Sequence, residues 1–344
     1  MSVNEEAADL KAALRGMGLV AEGEICTVHA LSGGVSCEVF AIETGGRSFC
    51  VKRALEKLRV AADWRAPAER SHAEVAWMEL VGKLEARLVP QILGEDRERH
   101  LFAMAYLPPS DYPVWKTLLA DGNVEPEFAA QVGDALARIH AATAGREDIA
   151  RAFANGAQFH ALRIEPYLLY TAAQNPDVAE KICKLARGVE GARIALMHGD
   201  VSPKNILRGP GGPVFLDAET CCYGDPAFDL AFCLNHLLLK GAWHREHASA
   251  YGASFAALKN AYFAKADWEE HAGLEQRTAA LLAAFLLARV DGKSPVEYLS
   301  EDGRVFARAM AKEFLMAGPE TLDAMLARWN EALFSPKPMT GLRK

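Results

Sequence analysis

Residues 197–231 read MHGDVSPKNILRGPGGPVFLDAETCCYGDPAFDLA, and the fold is decided in this stretch. An apolar run, Ile194 to Met197, leads into a short loop holding His198 and Asp200. Asn205 follows, then the turn-forming run Gly209 to Pro213 and a short apolar strand that ends in Asp217. Gly224-Asp225-Pro226 next supplies a turn, a helix cap and a proline at the first helical position, and Asp229 lies on the helix that opens there. Taken singly, an Asp, Asn or His in a loop is a common turn former, and Asp225 reads first as a cap. The specificity lies in the conjunction: H-x-D-x-x-x-x-N, an apolar run ending in Asp, then G-D-P-x-x-D, each in matching local structure.

This constellation resembles the catalytic core of the protein-kinase-like fold, in which a loop Asp and Asn and a second Asp after a hairpin share the work of phosphoryl transfer. Such a transfer needs the acceptor hydroxyl held and deprotonated on one side while Mg²⁺ neutralises phosphate oxygens on the other. Two details point away from protein kinases: His198-Gly199-Asp200 stands where those enzymes usually carry H-R-D, and Asp217-Ala218-Glu219 where they carry D-F-G. Both variants resemble the aminoglycoside phosphotransferase and choline kinase group, which includes methylthioribose kinase and acts on small molecules. The resemblance implies an α+β, two-lobed fold: a small antiparallel sheet with one main helix over about residues 1–106, and a larger, mostly helical lobe over 107–344. It implies ATP or GTP with Mg²⁺ as cofactors and a small-molecule acceptor bearing a hydroxyl group. By the same match Asp200 is the catalytic base, Asn205 and Asp217 are the metal ligands, and Asp229 braces the loop. His198 reads as structural support of that loop through backbone hydrogen bonds rather than as a proton carrier.

If this core is right, the N-terminal sheet must clamp the nucleotide. Val28 to Leu55 is rich in β-branched and aromatic residues broken by glycine pairs, which predicts two or three antiparallel strands. Ser32-Gly33-Gly34-Val35-Ser36 lies between two such runs, so Ser32, Gly33, Gly34 and Ser36 are candidates to fold over phosphates, although no G-x-G-x-x-G is present. Lys52, near the end of the next strand, matches the family's phosphate-contacting lysine. Its acidic partner belongs on the helix predicted over Pro67 to Ala86, where Glu69, Glu74 and Glu79 compete; Glu74 is the choice because it is central and leaves Val75, Met78 and Val81 for the core. Further strands are predicted at Leu88–Leu93 and His100–Leu107, with Ala105 to Leu107 connecting the lobes and lining the adenine site through backbone groups.

Beyond the Pro108–Pro113 break the pattern is helical, near 128–142, 166–187, 226–240, 247–265, 274–290 and 295–316. Ser294-Pro295-Val296-Glu297 carries the signature of a capped helix start. The acceptor is less legible. Acidic and basic residues balance between Leu230 and Lys344, giving no sign of the acidic groove that a polycationic aminoglycoside would demand. Candidate acceptor contacts are Asn235, His236 and Trp243, on or after the helix carrying Asp229, and Arg289 and Lys293, which would suit an anionic or polyhydroxyl acceptor. The stretch Arg163 to Tyr167 has a short similarity to methylthioribose kinase.

Composition bounds the rest. The chain has 344 residues, 51% hydrophobic and 24% charged, with net charge -7, which fits a globular protein and disfavours a nucleic-acid binder with a general cationic surface. The longest apolar run, Ala279 to Ala288, is too short to cross a membrane, and the acidic N-terminus lacks the basic and apolar regions of a secretory signal. The 7 cysteines include no C-x-x-C pair and read as reduced thiols, so a cytoplasmic location is expected. P-loop, nucleophile-elbow and H-E-x-x-H motifs are absent. The reading is an ATP-dependent phosphotransferase of the aminoglycoside phosphotransferase type. The alternatives are a methylthioribose kinase-like or choline/ethanolamine kinase-like enzyme, or a non-catalytic nucleotide-binding regulator on the same fold. Oligomeric state is left open.

Overall fold

The computed structural model describes residues 3–31, 37–55, 67–318 and 321–335. Helix α1 (Val3–Gly16) precedes strands β1 (Cys26–Leu31), β2 (Cys37–Thr44) and β3 (Arg47–Ala54). Helix α2 (Arg70–Leu84) is followed by β4 (Ile92–Asp96) and β5 (Leu101–Ala105), and the five strands form one antiparallel sheet in the order β1-β2-β3-β5-β4. Gly45 and Gly46 close the β2–β3 hairpin with φ of 53° and 76°. Two successive positive φ values are what a tight hairpin of this twist requires, and glycine meets them without steric cost.

Strand alternation divides the sheet's residues between two faces. Ile42, Phe49, Val51, Leu101 and Ala103 pack under α1 with Leu10, Ala13 and Leu14. Cys50, Phe102 and Met104 turn the other way, into the main core with Val75, Trp77, Met78 and Val81 of α2. Lys52 has the parity of Cys50 and so faces α2. The strand expected at 88–93 begins instead at Ile92, after a 3-10 turn at Ala86–Leu88. Leu88 and Val89 are buried as turn residues, and Pro90, with no N–H to give a ladder, delays the strand.

From α3 (Trp115–Ala120) the chain is mostly helical: α4 (Pro126–Thr143), α5 (Glu147–Ala152), α6 (Gly156–Phe159), a π-helical segment His160–Leu169, α7 (Tyr170–Gln174) and α8 (Ala179–Gly191). Three short strands, β6 (Ala195–Met197), β7 (Ile206–Gly209) and β8 (Gly212–Phe215), precede β9 (Cys222–Gly224), with β6 paired to β9 and β7 to β8. Helices α9 (Pro226–Trp243), α10 (Ala248–Phe263), α11 (His271–Asp291), α12 (Glu301–Ala317) and α13 (Leu322–Phe334) complete the fold. Residues 226–242 of α9 are all buried, as expected of a helix apolar on every side, and α4, α10, α11 and α12 pack around it. No helix among the described residues is long and apolar enough to cross a membrane.

Two helical expectations are corrected. The segment expected at 166–187 is divided into the π-helical turn, α7 and α8 by a break at Asn175–Val178. The helix start read at Ser294-Pro295 is not used: Ser294 gives its carbonyl and hydroxyl oxygens to the Arg289 guanidinium, at 2.5 and 3.1 Å, and Val296 N–H donates to the Arg289 carbonyl. These tertiary bonds hold 294–299 out of helix beside the end of α11, and α12 starts at Glu301 with Ser300 accepting from Gly303 N–H.

Helices α4 and α10 approach so closely that a Cβ on Gly133 would lie 2.2 Å from the Leu258 carbonyl oxygen. Backbone cannot yield as a side chain does. Gly133→Ala is therefore expected to destabilise the protein by about 1–3 kcal/mol despite the helix propensity it gains, read as a lower midpoint in urea.

Candidate active site

Strand β3 and helix α2 bring Lys52 and Glu74 together inside the protein. Lys52 Nζ donates to Glu74 Oε1 and Oε2 at 2.8 and 2.7 Å, and to Asp217 Oδ1 at 2.5 Å. Glu69 stands at the helix N-cap and Glu79 is exposed, so neither meets the lysine. One ammonium thus faces two carboxylates. Burial would raise the Asp217 carboxyl, but the Lys52 charge outweighs it and holds the group well below the usual range, while burial pushes Glu74 up to about 7. Asp217 adopts φ 66°, left-handed backbone that non-glycine residues seldom occupy and that is found disproportionately at functional positions.

Asp200 sits 4% exposed in the loop after β6. Its Oδ2 meets Arg163 Nη2 at 3.0 Å and Lys204 Nζ at 3.1 Å. Burial opposes ionisation here too; the two cations override it and keep Asp200 a carboxylate. Arg163 reaches the loop from the π-helical segment, where Nε also donates to the Gly199 carbonyl at 2.6 Å. Asn205 lies one short turn on and donates its side-chain N–H to the Asp200 carbonyl at 3.1 Å, leaving Oδ1 as an oxygen donor.

The loop is pinned from beneath. Asp229, with no solvent exposure, accepts the His198 and Gly199 backbone N–H groups at 2.7 and 2.8 Å and faces His140 Nε2 at 3.3 Å. His198 accepts the Asp200 N–H at Nδ1 and donates from Nε2 to the Leu216 carbonyl, which fixes the neutral tautomer; burial lowers its pKa as well. Gly199, at φ 80°, has the Thr220 carbonyl oxygen 2.5 Å from where a Cβ would stand. Asp225 caps α9 by accepting from Ala227 N–H and is paired with Arg277.

Helix α9 supplies His236 and Trp243, and the end of α11 supplies Arg289. His236 is buried with Nε2 unpartnered, Trp243 lies 4.8 Å from the Tyr298 ring, and Arg289 Nη1 approaches Tyr167 Oη at 3.4 Å. Asn235 turns its amide N–H onto the Phe232 carbonyl of its own helix. Lys293 is held by Glu165 at 2.8 Å in a partly exposed pair. Ala105 ends β5 with its N–H given to the Gln91 carbonyl, and Leu107 lines a cavity of about 160 Å³ with Pro90 and Tyr112. Ser32, Gly33, Gly34 and Ser36 lie outside the described residues. A concavity of about 870 Å³ between α4 and the β7–β8 turn includes none of this set.

Some members of the site have no sequence signature. Arg70, wholly buried, donates to Glu219 Oε2 at 2.9 Å and ties the start of α2 to the segment after Asp217. Lys204 was open to notice as the residue one helical turn after Asp200 and just before Asn205. Arg163 belongs to the stretch that resembles methylthioribose kinase, but its approach to Asp200 depends on a π-helical register that periodicity does not show.

The model of the phosphotransferase enzyme family matches residues 27–274. The chain belongs to this family. A methylthioribose kinase of Pectobacterium carotovorum subsp. carotovorum (strain PC1) is 29% identical to this phosphotransferase-family chain over 227 residues, which cover 57% of the chain and 55% of the relative. The match thus spans about half the length of that curated relative. Among solved structures, a choline kinase from Cryptosporidium parvum Iowa II has a TM-score of 0.57 at 11% identity, covering 96% of this chain and 100% of that one. The amicoumacin kinase hAmiN, in complex with AMP-PNP, Ca²⁺ and Ami, has a TM-score of 0.54 at 15% identity and covers 94% and 98%. Their likeness extends over nearly the whole chain and establishes the two-lobed, protein-kinase-like fold.

Because Asp229 serves two backbone donors with no water to replace it, Asp229→Asn would present an N–H to a donor while conserving volume. A loss of about 1–3 kcal/mol is expected for the donor left unpaired, measured by urea unfolding against wild type.

Proposed function

We propose that the protein transfers the γ-phosphoryl group of ATP, or of GTP, to a hydroxyl of a small-molecule acceptor. The observation that carries this reading is the convergence of Lys52, Glu74, Asp217, Asn205 and Asp200 at one place from four separate segments of the chain. Asp200, flanked by Arg163 and Lys204, orients the acceptor hydroxyl and takes its proton. Its depressed pKa suits late proton transfer, as in a loose transition state where positioning matters more than basicity. Lys52, positioned by Glu74, contacts the phosphates, and the backbone from Ala105 to Leu107 meets the base. The Ala105 N–H is committed to the Gln91 carbonyl, so that contact falls to other backbone groups of the segment.

The donor set fits Mg²⁺. Among the described residues no group of three or more His, Cys, Asp and Glu is placed to hold a metal alone, and Mg²⁺ is commonly bound by one or two protein oxygens with phosphates and water completing its shell. Asp217 and the Asn205 Oδ1 atom would hold it. When bound, the ion neutralises charge on the phosphate oxygens. The amicoumacin kinase complex, which holds a nucleotide analogue and a divalent cation, supports the same assignment by fold. The methylthioribose kinase relatives make a sugar hydroxyl one acceptor to test, and a non-catalytic regulator would have little use for the full set.

Asp200→Asn is expected to lower acceptor-dependent ADP release by about 10²–10⁴-fold, while Mg·ATP affinity, measured by calorimetry, holds or tightens as a negative charge leaves the site. Equal loss of turnover and binding would remove Asp200 from its proposed role. Failure of the wild type to bind both Mg·ATP and Mg·GTP would reject the kinase reading. Lys52→Ala should weaken productive nucleotide binding, seen as a raised KM for ATP.

A further inference from the structure

The face of α9 beyond the Asp200 loop holds polar atoms that no protein group satisfies. Lys240 is 2% exposed and its Nζ has no hydrogen-bond partner. One turn earlier His236 is 8% exposed with Nε2 unpartnered, and Arg289 Nε and Tyr298 Oη are buried in the same condition. The Lys240 ammonium rests against aromatic faces, 4.9 Å from the Tyr298 ring centroid and 5.3 Å from that of Trp243. A buried ammonium ordinarily has a carboxylate. Lys259, on the neighbouring helix, follows the rule with Asp323 at 2.6 Å; Lys240 breaks it.

The group is continuous with the Asp200 loop. Arg289 reaches Tyr167 Oη, and the guanidinium groups of Arg163 and Arg289 lie 5.7 and 5.9 Å from the Tyr167 ring centroid. Arg163 and Lys204 then meet Asp200 itself. Repulsion within the group is expressed in its titration: burial, then Arg289, Lys240, Lys204 and Lys116, lower His236, while burial and Lys116 bring Lys240 down to about 8. The nearby carboxylates are already engaged, Asp200 by its two cations and Glu297, on the rim, by Lys116 at 3.1 Å. A cationic acceptor would meet repulsion here, and an uncharged one would leave the cations unbalanced.

We infer that the acceptor carries an anionic group, a carboxylate or a phosphate, seated among Lys240, His236 and Arg289 while its hydroxyl meets Asp200. This rests on the phosphotransferase reading of the Asp200 loop. It also orients the acceptor, with its charged end on α9 and away from the nucleotide phosphates.

The test is equilibrium binding to the full-length protein saturated with Mg·AMP-PNP, using matched compounds that differ in charge: glycerol, glycerate and glycerol phosphate; glucose, gluconate and glucose 6-phosphate; with methylthioribose and choline alongside. The carboxylate and phosphate arms separate the two sources of charge. A charged member should bind roughly tenfold or more tightly than its uncharged partner, and Lys240→Met should erase that difference without changing AMP-PNP affinity. If Lys240→Met fails to fold, the wild-type comparison decides alone. Charged members that bind no better than their uncharged partners, or a lead for choline or methylthioribose over all of them, would overturn the inference and leave the kinase reading standing. Failure to bind AMP-PNP and its guanine counterpart GMP-PNP alike would overturn the kinase reading and the inference with it.

Discussion

A carboxylate without access to water holds the site together. Asp229 accepts two successive backbone N–H groups of the Asp200 loop, and because α9 is buried from Pro226 to Ala242, the side chain cannot move without disturbing the core. An ionised acceptor makes the stronger kind of hydrogen bond, and its replacement by water is prevented by burial. From this anchor the geometry propagates through His198, whose two ring nitrogens link the Asp200 N–H to the Leu216 carbonyl. The loop is thereby sewn to the strand that delivers Asp217. Asp200 and Asp217 owe their relative placement to bonds with backbone, which are less free to rearrange than contacts between long side chains.

The second constraint is electrostatic. Lys52 carries one positive charge between two carboxylates, an excess of negative charge that a divalent cation would relieve. Asp200 reverses the count, with one carboxylate between two cations. The left-handed backbone of Asp217 belongs to the same design. Strain of this kind persists only where surroundings over-determine it, and here Lys52 at one end and the Leu216 bonds at the other do so.

How much of this was legible follows from how local each signal is. His198, Asp200, Asn205, Asp217 and Asp229 occupy one short stretch whose spacing survives as text, whereas Lys52 comes from the family resemblance and Glu74 from its central place in the apolar pattern of its helix. The failures were tertiary. The Ser294-Pro295 start has every local mark of a helix cap, yet Arg289 claims the oxygens of Ser294 and the chain passes on to Ser300. Arg163 could not be placed because a π-helical turn shifts its register, and Lys240 reads in sequence as one more polar residue at a helix end. Arg70 and Glu219 are far apart in the chain, and only the folded core brings them together.

The change of sign across the Asp200 loop has a consequence for the order of the chemistry in space. Phosphoryl transfer brings a polyanion to an acceptor, so any negative charge on that acceptor works against approach unless the protein separates and compensates it. In this chain Arg289 is linked to Arg163 through the Tyr167 ring, and Arg163 and Lys204 flank Asp200. Both of these touch the carboxylate that would receive the hydroxyl proton, so they screen that carboxylate from the incoming phosphates as well as holding it in place. A site built only to bind a neutral hydroxyl would have no need for cations on both sides of its base, and the desolvation cost of burying Lys240 without a partner would have no return in the free protein.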